Sequence, residues 1–180
     1  MFKIGILGLG YVGLPLAIEF GKKYQVIGYD KKAKRINELK YNCDKNFDIN
    51  EKEFLKSKKL NFTNNLNHLK SCNIFIITVP TPVTKKNIPD LRYIRNACLD
   101  ISQFLKKDDI VIFESTVYPG LTEEFCVPIL QRKSGLVYNK DFFCGYSPER
   151  INPNDKIYNI KNIVKITSGS NDFIANKIDK

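Results

Sequence analysis

The chain of 180 residues has no tryptophan, one methionine and one histidine. A Ser-His-Asp or Cys-His constellation would have to be built on His68 alone, and that residue lies in the polar run Asn64-Asn65-Leu66-Asn67-His68. It reads as a surface residue. The five cysteines (Cys43, Cys72, Cys98, Cys126, Cys144) are odd in number and contain no CxxC pair. That pattern argues against a disulfide framework and against a zinc site, and no metal is expected. Cys72, Cys98 and Cys144 read as core fillers, and Glu123-Glu124 as an exposed helix face. No run approaches the length of apolar sequence that a membrane-spanning helix needs. Met1 passes directly into Phe2-Lys3-Ile4-Gly5-Ile6-Leu7-Gly8, too short a run for a secretory leader and without a small-residue cleavage site. Internal repeats, low-complexity tracts and Pro/Ser-rich linkers are also lacking. The expectation from these absences is one cytoplasmic domain.

What is present is ordinary globular composition, 43% hydrophobic and 27% charged. Lys and Arg number 29 against 19 Asp and Glu, a net charge of +10. The lysines come in scattered pairs such as Lys22-Lys23, Lys58-Lys59 and Lys106-Lys107, not in a basic arm. No RNA-binding or zinc-finger spacing accompanies them. They read as solvated surface, so no nucleic-acid partner is expected, whereas an anionic small molecule suits the charge equally well.

Strand and helix patterns alternate along the chain. Residues Lys3 to Leu7, Gln25 to Tyr29, Leu60 to Phe62, Asn73 to Val79, Asp109 to Phe113, Phe142 to Cys144 and Ile163 to Ile166 read as strands. Helical spacing runs over Tyr11–Phe20, Lys31–Tyr41, Glu51–Lys56, Asp90–Leu105, Pro119–Leu130 and from Asp172 onward. Pro15 is tolerable only near a first turn, Gly21 marks a helix end, and Thr63 could cap a short helix through Leu69. Such alternation implies an α/β fold, a doubly wound parallel sheet with right-handed crossovers.

Gly8-Leu9-Gly10-Tyr11-Val12-Gly13 is a G-x-G-x-x-G between the first strand and its helix. Alone the hexad is weak evidence. Here a strand precedes it, a helix follows, and Asp30 closes the second strand, which is the arrangement of a Rossmann dinucleotide site. Gly8 permits the tight turn, Gly10 lets backbone approach a pyrophosphate, and Gly13 lets the helix pack close to the sheet. The helix N-terminus offers N–H groups to phosphates. Asp30 would accept from ribose hydroxyls and repel a 2′-phosphate, favouring NAD over NADP, although Lys31, Lys32 and Arg35 lie nearby. Three further segments fall at the carboxyl ends of later strands, where ligands sit in open α/β sheets. They are Pro80-Thr81-Pro82, Glu114 to Gly120 and Tyr146-Ser147-Pro148-Glu149-Arg150. A regulatory dinucleotide-sensing module explains the glycine motif but not these later blocks.

Gly8 to Ala17, Val79-Pro80-Thr81-Pro82, Glu114-Ser115-Thr116-Val117-Tyr118-Pro119-Gly120 and Tyr146 to Pro153 together resemble the UDP-glucose/GDP-mannose dehydrogenase family. Within it the chain is most similar to the branch oxidising UDP-N-acetylhexosamines in capsule and O-antigen synthesis. The resemblance implies oxidation of a sugar C6 alcohol to a carboxylate with two NAD⁺, through a cysteine thioester. It implies that Val12, Asp30, Arg35, Thr81 and Thr116 contact NAD. Thr116 also matches a threonine that positions water near the reacting carbon, and Glu149 a glutamate of acid–base work or substrate contact. Where the UDP-glucose branch has a second glutamate this chain has Pro153, and Asn154 replaces a glycine usual in the hexosamine branch. A UDP-glucose or GDP-mannose dehydrogenase remains the alternative.

Family members are more than twice this long, with a nucleophilic cysteine in a G-G-x-C segment and a lysine and asparagine from a central helix. None of the five cysteines has that context. The resemblance therefore implies that residues 1–180 are the NAD-binding domain, ahead of the central helix and the UDP-sugar-binding domain. They should bind NAD without completing the oxidation. Homo-oligomers are implied for the full-length relatives.

Overall fold

The computed structural model describes residues 2–45, 49–150 and 163–180. Within these, one seven-stranded sheet runs in the order β3-β2-β1-β4-β5-β6-β7. Its strands are β1 (Lys3–Leu7), β2 (Gln25–Tyr29), β3 (Leu60–Thr63), β4 (Ile74–Ile77), β5 (Ile110–Phe113), β6 (Phe143–Tyr146) and β7 (Ser168–Gly169). The first six are parallel and β7 is antiparallel to β6. The doubly wound parallel sheet is the one expected, and the short antiparallel edge β7 is an addition to it.

Period-two alternation explains why the central strands are apolar throughout. Phe75 and Ile77 of β4, with Val111 and Phe113 of β5, enter one core. Ile74, Ile76, Ile110 and Ile112 enter the core on the opposite face. The helices α1 (Gly13–Gly21), α2 (Ala33–Lys40), α3 (Glu51–Lys56), α4 (Arg92–Ser102), α5 (Val127–Ser134) and α6 (Asp172–Ile178) flank the sheet. In α4 the buried residues Ile94, Ala97, Cys98 and Ile101 recur at helical spacing and face the first core. Leu14, Ala17 and Ile18 of α1 and Ile36 and Leu39 of α2 fill the second. Cys72, Cys98, Cys126 and Cys144 are buried, while His68, Glu123 and Glu124 are exposed.

Three local expectations change. Thr63 ends β3, and the short 3₁₀ turn Leu66–Ser71 is capped by Asn65, whose side chain accepts from Asn67 N. The helix expected over Pro119–Leu130 begins as a π-turn, Thr122–Cys126, before α5 continues to Ser134. Pro128 lies in the first turn of α5 and has no N–H to give to a carbonyl one turn back, so the wider turn spares a missing bond. Gly135, at φ 75°, ends the helix. Ile163–Ile166 is not a strand: the antiparallel pairing falls on Ser168–Gly169 instead. Lys165 turns inward to an ion pair, leaving Val164 and Ile166 77% and 56% exposed. The apolar alternation there therefore points outward. Among the described residues, no helix is long and apolar enough to cross a membrane.

Candidate functional site

The strand order reverses between β1 and β4, and the loops leaving these two strands diverge. Such a switch point opens a crevice at the carboxyl ends of the strands. A cleft of about 1180 Å³ lies there, lined by Gly8, Gly10, Tyr11, Val12, Asp30, Arg35, Thr81, Thr116 and Glu149. Every site residue expected from the sequence except Gly13 contributes to that wall.

Gly13 acts from behind it. A Cβ at this position would stand 1.9 Å from the Gly8 carbonyl oxygen and 2.4 Å from Thr78 Oγ1. Thr78 Oγ1 in turn donates to the Gly8 and Leu7 carbonyls, at 2.7 and 3.0 Å. The start of α1 is thus pressed against the end of β1 through a contact that admits only hydrogen. Gly8 has φ +98°, open to glycine and costly for other residues. Around Gly10 there is open space, so a ligand can reach the backbone.

Asp30 stands where β2 ends. Its Oδ2 accepts from Leu9 N at 3.1 Å and its Oδ1 from Lys32 N at 2.9 Å. The carboxylate is thereby tied to the glycine turn 21 residues earlier. Arg35 is buried, and its Nε donates to the Leu9 carbonyl at 3.0 Å. Its Nη1 pairs with Asp44 at 2.8 Å and approaches Glu38 at 3.6 Å. The guanidinium therefore braces the turn from beneath and spends charge on two carboxylates.

On the far side of the cleft, Thr81 Oγ1 donates to the Thr116 carbonyl at 2.5 Å, joining the loops after β4 and β5. Ser115 Oγ donates to the Val79 carbonyl at 2.6 Å and reinforces that junction. The Thr116 side chain stays exposed to the cleft. Pro153 and Asn154 lie outside the described residues.

Several lining residues carry no local motif. Tyr93, Asn96 and Asp100 repeat at helical spacing on α4 and present its polar face to the cleft; that periodicity was readable in the sequence. Lys31 places its ammonium 5.2 Å from the Tyr93 ring centroid. Burial pushes the Asp100 carboxyl above its ordinary range and Lys31 opposes the rise. Glu114, buried at the end of β5, pairs with Lys165 across 51 residues of sequence. No sequence spacing could have announced that contact. Among the described residues, no group of three or more His, Cys, Asp or Glu is placed to hold a metal ion.

Residues 2–178 match the family model described as UDP-glucose/GDP-mannose dehydrogenase family, NAD binding domain. The chain belongs to that family. Its cofactor is NAD, as that domain description and the geometry of the glycine turn agree. It is 54% identical over 178 residues to a UDP-N-acetyl-D-glucosamine 6-dehydrogenase of Salmonella typhi, covering 99% of this chain and 42% of the relative. A protein of the same name from Pseudomonas aeruginosa is 52% identical, with 98% and 42% covered. Among solved structures, a UDP-D-ManNAc dehydrogenase from Pyrococcus horikoshii superposes with TM-score 0.86 at 34% identity, covering 99% of this chain and 43% of that one. The chain thus spans less than half the length of the relatives it matches.

Proposed function

We propose that this chain is the NAD-binding, amino-terminal part of a UDP-N-acetylhexosamine 6-dehydrogenase that works in the cytoplasm in polysaccharide precursor synthesis. The observation that carries the cofactor geometry is the bond from Leu9 N to Asp30 Oδ2, which brings an acidic strand end to the rim of the glycine turn. In this reading Gly8, Gly10, Tyr11, Val12 and Gly13 shape the pyrophosphate cradle. Asp30 accepts from the adenosine ribose hydroxyls, and Arg35 holds both the turn and its orientation. Thr81 and Thr116 flank the reacting end, where bound NAD supplies the hydride acceptor.

Glu149 is the base that holds and deprotonates water, with Thr116 orienting that water. The 52–54% identity to two UDP-N-acetyl-D-glucosamine 6-dehydrogenases, beside 50% to Protein CapL of Staphylococcus aureus, supports the hexosamine branch. The UDP-sugar is held mostly by residues beyond 1–180, and the homo-oligomer belongs to the full-length protein. By itself the chain binds NAD and does not turn over substrate.

Calorimetric titration of NAD⁺ and NADP⁺ into the purified chain tests this. Binding of NAD⁺ with clear discrimination against NADP⁺ is expected, and Asp30→Ala should weaken NAD⁺ binding about tenfold through lost ribose bonds. Equal affinity for both dinucleotides would overturn the role of Asp30. Steady NADH formation from UDP-N-acetylglucosamine by the chain alone would overturn the division of labour.

A further inference from the structure

With the pyrophosphate at the glycine turn and the adenosine ribose at Asp30, the direction of the base is fixed. It leaves the ribose on the side of the sugar ring away from the pyrophosphate arm, so it lies past Asp30 and away from Gly10. The next residue there is Lys31, and the wall that Lys31 faces is α4.

Lys31 and Tyr93 both line the cleft, and Lys31 Nζ stands 5.2 Å from the Tyr93 ring centroid. One lysine side chain therefore spans the cleft at this point. The Tyr93 ring turns a face to the cleft and holds an ammonium on it. Ala97, one turn further along α4, also lines the cleft, and its methyl group leaves room beside the ring. Asn96, three residues after Tyr93 and next to it on the helix surface, is exposed and lines the same wall. Ile94, Ala97 and Cys98 are buried in the core, so this face of α4 cannot turn away. A flat aromatic face beside a side chain with one donor group and one acceptor suits adenine. The base has a π face to stack, an amine to donate and ring nitrogens to accept.

We propose that Tyr93 and Asn96 are specificity-determining residues for the adenine base. The purine stacks on the Tyr93 ring in the place of the Lys31 ammonium, and the Asn96 amide hydrogen-bonds the edge that carries the adenine amine. Asp100, one turn beyond Asn96 on that wall, already feels the Lys31 charge and offers the displaced ammonium a partner. The proposal deepens the NAD reading and rests on it.

The test titrates NAD⁺ and etheno-NAD⁺ into the wild-type chain, Asn96→Leu and Tyr93→Leu. In etheno-NAD⁺ the adenine amine is closed into an extra ring and no longer donates. Asn96→Leu should weaken NAD⁺ binding about fivefold and leave etheno-NAD⁺ unchanged. Tyr93→Leu should weaken both about tenfold, because both bases keep a π face. In the wild-type complex with NAD⁺, adenine protons should show nuclear Overhauser contacts to the Tyr93 ring. Equal losses of the two dinucleotides in Asn96→Leu, or no loss of either, overturn the proposal. So does a wild-type chain saturated with NAD⁺ that lacks the Tyr93 contact. Should Tyr93→Leu fail to fold, the wild-type contact and the exposed Asn96 still decide the matter. NAD⁺ binding without these signatures leaves the cofactor reading standing, whereas no NAD⁺ binding in the wild-type chain overturns both.

Discussion

Gly13 and Asp30 do opposite kinds of work at the same turn. Gly13 is needed for what it lacks, because the Gly8 carbonyl and Thr78 hydroxyl occupy the volume a methyl group would take. Gly13→Ala should therefore force α1 away from β1 and destabilise the chain by about 1–3 kcal/mol. Urea unfolding would show it as a lower midpoint with an unchanged slope. Wild-type stability in this variant would mean that the helix start can retreat at no cost. Asp30, in contrast, is needed for what it presents, and both its oxygens already accept backbone N–H bonds. Those bonds orient the carboxylate before any ligand arrives.

At the scale of elements, caps and breaks decide where each helix stands. Pro15 falls in the first turn of α1, where its missing N–H removes no helical bond. Gly21 ends that helix, although the residue after it keeps right-handed geometry. The reason for glycine there is a close approach, since a Cβ would lie 2.7 Å from Leu60 Cβ. Asn171 caps α6 by accepting from Ile174 N at 3.0 Å, and Ile174 is buried in the core beneath β6 and β7. Asn171→Ala should cost about 1 kcal/mol. Hydrogen exchange should place the loss in α6 and β7, with β1 to β5 unchanged in local protection relative to the global opening. Faster exchange spread evenly through the sheet would contradict a local cap.

For the whole molecule, one buried acid at the edge of the sheet away from the cleft sets a pH slope. Asp109, 3% exposed, accepts from Lys106 N at 2.8 Å. Burial nevertheless pushes its carboxyl from 3.8 up to about 6, against the pull of that bond and the Lys106 charge. The folded state thus holds the proton more tightly than the unfolded chain. This contribution to stability is complete below pH 4 and is lost as pH rises through about 6. Asp109→Asn keeps an acceptor for Lys106 N and removes the ionisation. Relative to wild type it should gain about 2 kcal/mol between pH 4 and pH 7. Parallel denaturation curves for the two proteins over that range would refute the assignment.

The glycine turn, the acidic end of β2, the apolar strands and the order of helices were legible in the sequence, because each rests on contacts between near neighbours or on a simple period. Three blocks at strand ends could be placed on one edge because parallel strands put all their carboxyl ends together. Other features belong to tertiary structure. Ile163–Ile166 alternates like a strand, yet Lys165 leaves that pattern for Glu114, and an ion pair spanning 51 residues has no local signature. The family resemblance implies a NAD contact for Arg35, and only the fold reveals that its guanidinium is buried against Asp44 and the Leu9 carbonyl. Sequence by itself determined the parallel strands, the cofactor turn and the family. Which charges face each other across the cleft was decided by chain crossovers, since pairing depends on distances that only the folded topology sets.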